Sequence, residues 1–225
     1  MSLLTEKTFE AAAVRLNYAE GPPGGPPLVL IHGLGGRWQA WLTAIPALLP
    51  RWHVLAIDLR GHGRSGRVAD SYRWVDYCPD VIDFLRGVVS EPAVLMGHSL
   101  GGVVSAKVAA DAPDLVRAAV LEDPPLYVPR REATSSHADR FRVSRDIARS
   151  GGPFRAMLEA VAAALPEGDA ASVRNRARSL SLLDPEVYTP SVEGMNAGSY
   201  DTDAILANIE APVLLVQGNA DLGGA

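Results

Sequence analysis

Gly97-His98-Ser99-Leu100-Gly101 is the stretch that decides the fold. It reads G-x-S-x-G, and its flanks give the pattern weight. Pro92-Ala93-Val94-Leu95-Met96 comes first, a short apolar run suited to a buried strand. Gly102-Val103-Val104-Ser105-Ala106-Lys107-Val108-Ala109-Ala110 follows, apolar at helical spacing. A strand, a tight turn with a serine at its tip and a helix make a nucleophile elbow. Glycines at 97 and 101 leave room for strand and helix to approach, and the hydroxyl of Ser99 stands clear of the sheet. The helix N-terminus points free N–H groups at any anion forming there. Without those flanks the five residues would be a chance match in a glycine-rich chain.

A second motif supports the same chemistry. Leu28-Val29-Leu30-Ile31 reads as another buried strand and runs into His32-Gly33-Leu34-Gly35-Gly36. Acyl transfer builds negative charge on a carbonyl oxygen, and two N–H donors must meet it. The glycines let backbone approach a ligand closely. The expected donors are the N–H groups of Leu34 and of Leu100, just after the nucleophile.

These motifs, with Asp58-Leu59-Arg60-Gly61-His62-Gly63-Arg64-Ser65 between them, resemble the α/β-hydrolase superfamily in order and spacing. The resemblance covers the whole chain and bears on fold and nucleophile more than on substrate. It implies a doubly wound, mostly parallel α/β sheet, with ligands beyond the C-terminal ends of its strands. His32, Asp58, Ser99 and Asp123 all fall at such ends. His32, Gly33, Gly97, His98 and Gly101 are read as supporting the motif geometry.

Along the chain, Phe9 to Tyr18 suggests one or two opening strands, and strands are expected near 28–32, 52–58, 92–97, 117–122 and 212–217. Trp38 to Leu49 reads as one helix with Trp41, Leu42, Ile45, Leu48 and Leu49 on its apolar face, kinked or delayed by Pro46. Val75 to Val89 reads as another, its main part starting at Pro79. After Asp123 the alternation stops. Helical segments near 134–150, 153–165 and 169–183 resemble the lid that superfamily members insert at this point. The expected organisation is a core at 1–123, a helical lid at 124–200 and a resumed core at 201–225. The lid holds ten Arg, no Lys and nine Asp plus Glu, either a solvated surface or a source of cations for an anionic substrate group.

The triad acid has two candidates. Asp221, three residues past Gly218, occupies the superfamily's commonest position, and Asp123 occupies that of some branches. The triad order is serine, acid, histidine, yet no histidine follows His137. The expectation is a chain truncated at Ala225, whose base histidine belongs to about 40–60 further residues, by analogy with the fold. Of the histidines present, His32, His53 and His62 are read as scaffold, His98 as pointing away from Ser99, and His137 as part of the lid.

The function implied is a serine hydrolase of carboxylic esters or related acyl compounds, impaired if its histidine is missing. The elbow serine argues against epoxide hydrolases and haloalkane dehalogenases, which use aspartate there. Carbon–carbon bond hydrolases and cofactor-free haloperoxidase-like members remain open, as does a non-catalytic ligand-binding protein. No metal or organic cofactor is implied.

The 225 residues are 48% hydrophobic, enough for one substantial core. A net charge of −5 without a basic block argues against nucleic acid. No segment approaches the roughly 18 apolar residues of a membrane span. With no signal-like apolar region near Met1 and a single cysteine, Cys78, the reading is a cytoplasmic protein acting on a small-molecule acyl substrate.

Overall fold

The computed structural model describes residues 4–127, 136–196, 198 and 200–218. The chain opens with an antiparallel pair, β1 (Thr5–Glu10) and β2 (Arg15–Glu20). The remaining strands are β3 (Pro27–Ile31), β4 (His53–Ile57), β5 (Ala93–His98), β6 (Val116–Glu122) and β7 (Val213–Val216). All seven form one sheet in the order β1-β2-β4-β3-β5-β6-β7, and β4 through β7 are parallel.

Strand periodicity sorts the core into two layers. Val29 and Ile31 of β3, with Leu55 and Ile57 of β4, face one apolar cluster that includes Tyr77, Phe84 and Leu85. Their neighbours Leu28, Leu30, Val54 and Ala56 face a second cluster with Trp38, Trp41 and Ile45. Both faces are covered, so these strands read as continuous apolar runs instead of alternating ones. At the edge, β7 pairs only with β6 among the described residues, and Val213 to Val216 are 41–58% exposed.

The single helix expected over Trp38–Leu49 is instead two pieces. Trp38–Trp41 is a 3-10 turn, and α1 (Ile45–Leu48) starts with Pro46 in its first turn. Proline has no N–H to give and fits only where none is needed, so it starts this helix and does not kink it. Leu42 consequently falls off the apolar face and is 49% exposed. Pro79 likewise opens α2 (Cys78–Val88), and the apolar face there includes Val81, Phe84 and Leu85.

The elbow leads into α3 (Leu100–Asp111). Between β6 and β7 lie α4 (Ser136–Ser150), α5 (Phe154–Ala164), α6 (Ala170–Leu182), α7 (Thr189–Val192) and α8 (Thr202–Ala207). Asp169 caps α6 by accepting from the Ala171 and Ser172 N–H groups. Long-range hydrogen bonds fasten this insertion to the core. The Asp184 N–H donates to the Gly61 carbonyl at 2.7 Å, Tyr72 Oη donates to Asp184 at 2.9 Å, and the Trp74 N–H donates to Asn196. No helix among the described residues is long and apolar enough to cross a membrane.

Candidate active site

Ser99 caps α3 with φ 52° and ψ −115°. A non-glycine residue here stores strain that the surroundings must impose. Those surroundings are close-packed backbone. A Cβ on Gly97 would collide with the Gly101 carbonyl, and one on Gly101 would collide with the carbonyl of Ile31 on β3. The two glycines therefore let strand, turn and helix touch. The Ser99 N–H donates to the Glu122 carbonyl at 2.8 Å, tying the elbow to the end of β6. Ser99 Oγ has no hydrogen bond among the described residues, and the side chain is only part-buried.

The loop after β3 is held by two histidines. His32 Nδ1–H donates to the Gly33 carbonyl at 2.8 Å, while its Nε2 accepts the Leu59 N–H at 3.1 Å. His62 Nδ1–H donates to the Arg60 carbonyl at 2.9 Å, and its Nε2 accepts the Gly35 N–H at 3.0 Å. These roles fix the neutral tautomer of each ring. Burial pushes His32 down to about 4 and His62 to about 3. Both rings spend both nitrogens on backbone, so neither is available as a base.

The Gly36 N–H closes the loop onto the Gly33 carbonyl. Gly35 sits at φ +74°, where a side chain would also strike Tyr188. Among the described residues the N–H groups of Leu34 and Leu100 donate to nothing, whereas those of Gly35, Gly36 and Ser99 are taken. Asp58, at the end of β4, braces the same floor. It accepts from the Trp38 N–H at 2.7 Å, the Arg64 N–H at 3.0 Å and the Asn17 amide at 2.9 Å. Burial still lifts its carboxyl above the usual range.

The other expected residues separate clearly. His98 is exposed, with its ring against Gly33. His53 starts β4, at the opposite end of the sheet, and pairs with Glu20 at 2.9 Å. The His137 side chain and the whole of Asp221 lie outside the described residues. Asp123 follows β6 at φ 43°, its N–H donating to the Val216 carbonyl at 2.8 Å. Its carboxylate accepts the Gly218 N–H, so it reaches the loop after β7. Cys78 is buried at the start of α2, where burial pushes its thiol to about 12. No His, Cys, Asp and Glu cluster among the described residues has the makings of a metal site.

Two residues that sequence reasoning did not single out border the loop. Arg176 of α6 and Tyr188, just before α7, both approach Gly35. The arginine count of the insertion was a signal for the first, but nothing local marked the second. Arg37, at the foot of the loop, donates to Asn175 at 2.6 Å and to Ser179 at 3.3 Å, which holds α6 over the floor.

Residues 26–221 match the family model for the alpha/beta hydrolase fold. The chain is 28% identical to 2-(acetamidomethylene)succinate hydrolase of Mesorhizobium japonicum, over 95% of this chain and 77% of that one. It is 38% identical to (E)-2-((N-methylformamido)methylene)succinate hydrolase of Acinetobacter baylyi over 51% of this chain, a match spanning only 43% of that relative. The crystal structure of an E-2-(acetamidomethylene)succinate hydrolase superposes with a TM-score of 0.75 at 24% identity, covering 98% of this chain and 85% of that one.

Proposed function

The chain belongs to the alpha/beta hydrolase fold family, and on that premise we propose that it hydrolyses carboxylic esters or related acyl compounds through an acyl-enzyme on Ser99. The observation that carries this is the pairing of a strained, uncommitted serine with two unspent N–H donors, Leu34 and Leu100. The serine oxygen attacks the acyl carbonyl. The carbonyl oxygen becomes an oxyanion and accepts from both N–H groups, Leu100 adding the N-terminal field of α3. Collapse expels the alcohol or amine with a proton, and water then releases the acid.

The proton needs a base, and a carboxylate to orient it. Asp123 is the described candidate for the acid: it adjoins Glu122, which is bonded to the elbow, and its carboxylate is already held by a backbone N–H. Asp221 remains its alternative. We assign the base to a histidine other than His32, His53, His62 and His98, because the first three are committed elsewhere and none of the four hydrogen-bonds Ser99. The α4–α7 insertion serves in this reading as the lid over the acyl group.

One observation favours a second reading. With no histidine on Ser99 among the described residues, the same pocket suits a ligand-binding protein without turnover. Intact mass after a reactive fluorophosphonate separates the two. A stoichiometric adduct that disappears in Ser99→Ala is the expected result. An unmodified protein, folded by circular dichroism, sinks the acyl-enzyme reading and leaves the binding protein.

A further inference from the structure

The arginines of the α4–α7 insertion fall into two groups. Arg142 pairs with Asp139, Arg145 with Glu193 at 3.5 Å, Arg149 with Glu186 at 2.8 Å and Arg155 with Glu159 at 3.1 Å. Arg174 and Arg178 stand in solvent and need no partner. Arg176 fits neither group. It is only part-exposed, yet no carboxylate among the described residues meets it. Its Nη2 donates to Ser144 Oγ at 2.9 Å, its guanidinium lies 6.0 Å from the Tyr188 ring centre, and its Nη1 lies against Gly35.

Tyr188 repeats the imbalance. Its side chain is fully buried, stacked on Phe141, and its hydroxyl makes no well-aligned hydrogen bond among the described residues, with Arg176 and Ser144 beside it. That hydroxyl points at the same loop, since a Cβ on Gly35 would overlap it. A buried hydroxyl left unpaired costs free energy. The guanidinium brings only donors, so although the phenol oxygen can accept from it, the phenol O–H and the remaining guanidinium N–H groups still call for an acceptor. The group that completes both is an acceptor, and beside a cation the favoured acceptor is an anion.

Room for such a group lies next to Arg176, with Tyr188 behind it. A cavity of about 490 Å³ runs beneath α4, α5 and α6. Leu34, Phe141 and Leu180 give it apolar walls, and its charged lining is Arg176, Arg140 and Asp139. Asp139 is already neutralised by Arg142, whereas Arg140 has no carboxylate partner among the described residues. The cavity therefore joins the proposed oxyanion donor Leu34 to a surplus of positive charge.

We propose that this cavity binds acyl substrates carrying a second, free carboxylate, such as hemiesters or hemiamides of dicarboxylic acids, with Arg176 and Tyr188 gripping that carboxylate. The proposal rests on the reading of Ser99 and Leu34 as the acyl-transfer site. A guanidinium meets a carboxylate with two parallel hydrogen bonds, which an ester group cannot match. Arg140, at the exposed side, adds attraction without a fixed contact.

The test is calorimetric binding to Ser99→Ala protein, which holds ligands without turning them over. Monoethyl succinate is expected to bind at least about tenfold more tightly than diethyl succinate, as a charge-assisted bidentate pair supplies. Arg176→Met should abolish that preference, Arg176→Lys should keep part of it, and Tyr188→Phe should reduce it by about threefold to tenfold, one hydrogen bond's worth. Circular dichroism of each variant guards against unfolding, and Arg176→Lys and Tyr188→Phe keep the idea exposed if Arg176→Met fails to fold. Equal binding of the two esters, no binding of either, or a preference indifferent to Arg176 overturns the proposal. Fluorophosphonate labelling reports Ser99 separately. Labelling without a hemiester preference sinks the anchor alone, and a preference without labelling sinks the nucleophile alone.

Discussion

The floor of the site and its wall are built on opposite principles. In the floor, the loops after β3 and β4, polar groups are spent on one another: His32, His62 and Asp58 each bond backbone, and Arg60 grips Asp80 in a two-pronged pair at 2.6 and 2.7 Å. In the wall, α4 to α7, the Arg176 guanidinium and the Tyr188 hydroxyl are left incomplete. The Leu34 and Leu100 N–H groups are the exceptions on the core side, since they donate to nothing among the described residues. A satisfied network costs little and holds shape, whereas an unsatisfied one is expensive unless a ligand completes it. The difference teaches that the satisfied, rigid network belongs to the core loops, and the proposed anchor places recognition in the inserted helices.

The comparison breaks most visibly at Arg60. Both members of its pair with Asp80 are almost fully buried, 4% and 2% exposed. Arg60→Met leaves the Asp80 carboxyl buried without its partner, and should cost about 3–5 kcal/mol in denaturant unfolding. A loss below about 1 kcal/mol would mean that the floor is not the rigid element described.

Acid sharpens the contrast next. His32 and His62 have folded values of about 4 and about 3, below the unfolded 6.5. As pH falls below 6.5 the unfolded chain takes up protons that the folded chain refuses. Stability is therefore full above 6.5 and is lost as pH falls toward the folded values. Each histidine contributes a slope of about 1.2 kcal/mol per pH unit between pH 6 and 5. His62→Gln should remove one such share of the slope in urea midpoints measured at those two pH values. An unchanged slope would mean that His62 titrates normally.

The smallest effect belongs to the wall. Arg149 and Glu186 pair at 2.8 Å but are 43% and 44% exposed. Arg149→Ala should change stability by less than about 1 kcal/mol, read by thermal unfolding. A larger loss would make the insertion as tightly built as the floor.

Legibility followed the same division. The strand, elbow and helix around Ser99 were readable because Gly97 and Gly101 act within a few residues of the turn they permit. Pro79 and Pro46 marked helix starts for an equally local reason, although the segment before Pro46 was read as helix when it is only a 3-10 turn. The bond from Gly35 to His62 spans 27 residues and that from Arg37 to Asn175 spans 138, and no local pattern announces either. The ten arginines of the insertion were visible, but the division of the described ones into paired, solvated and unmatched was not.

The sequence by itself determined the parallel strands, the serine at the C-terminal end of one of them and the glycines that let backbone close around it. Those are matters of local sterics and of side-chain period, written in consecutive residues. Only the tertiary structure decided which histidines are locked in backbone bonds and which cation and hydroxyl stand incomplete beside Gly35. Hydrogen bonds saturate, so whether a polar group is spent or free depends on every neighbour that the fold delivers, and those neighbours come from α4, α6 and the segment before α7.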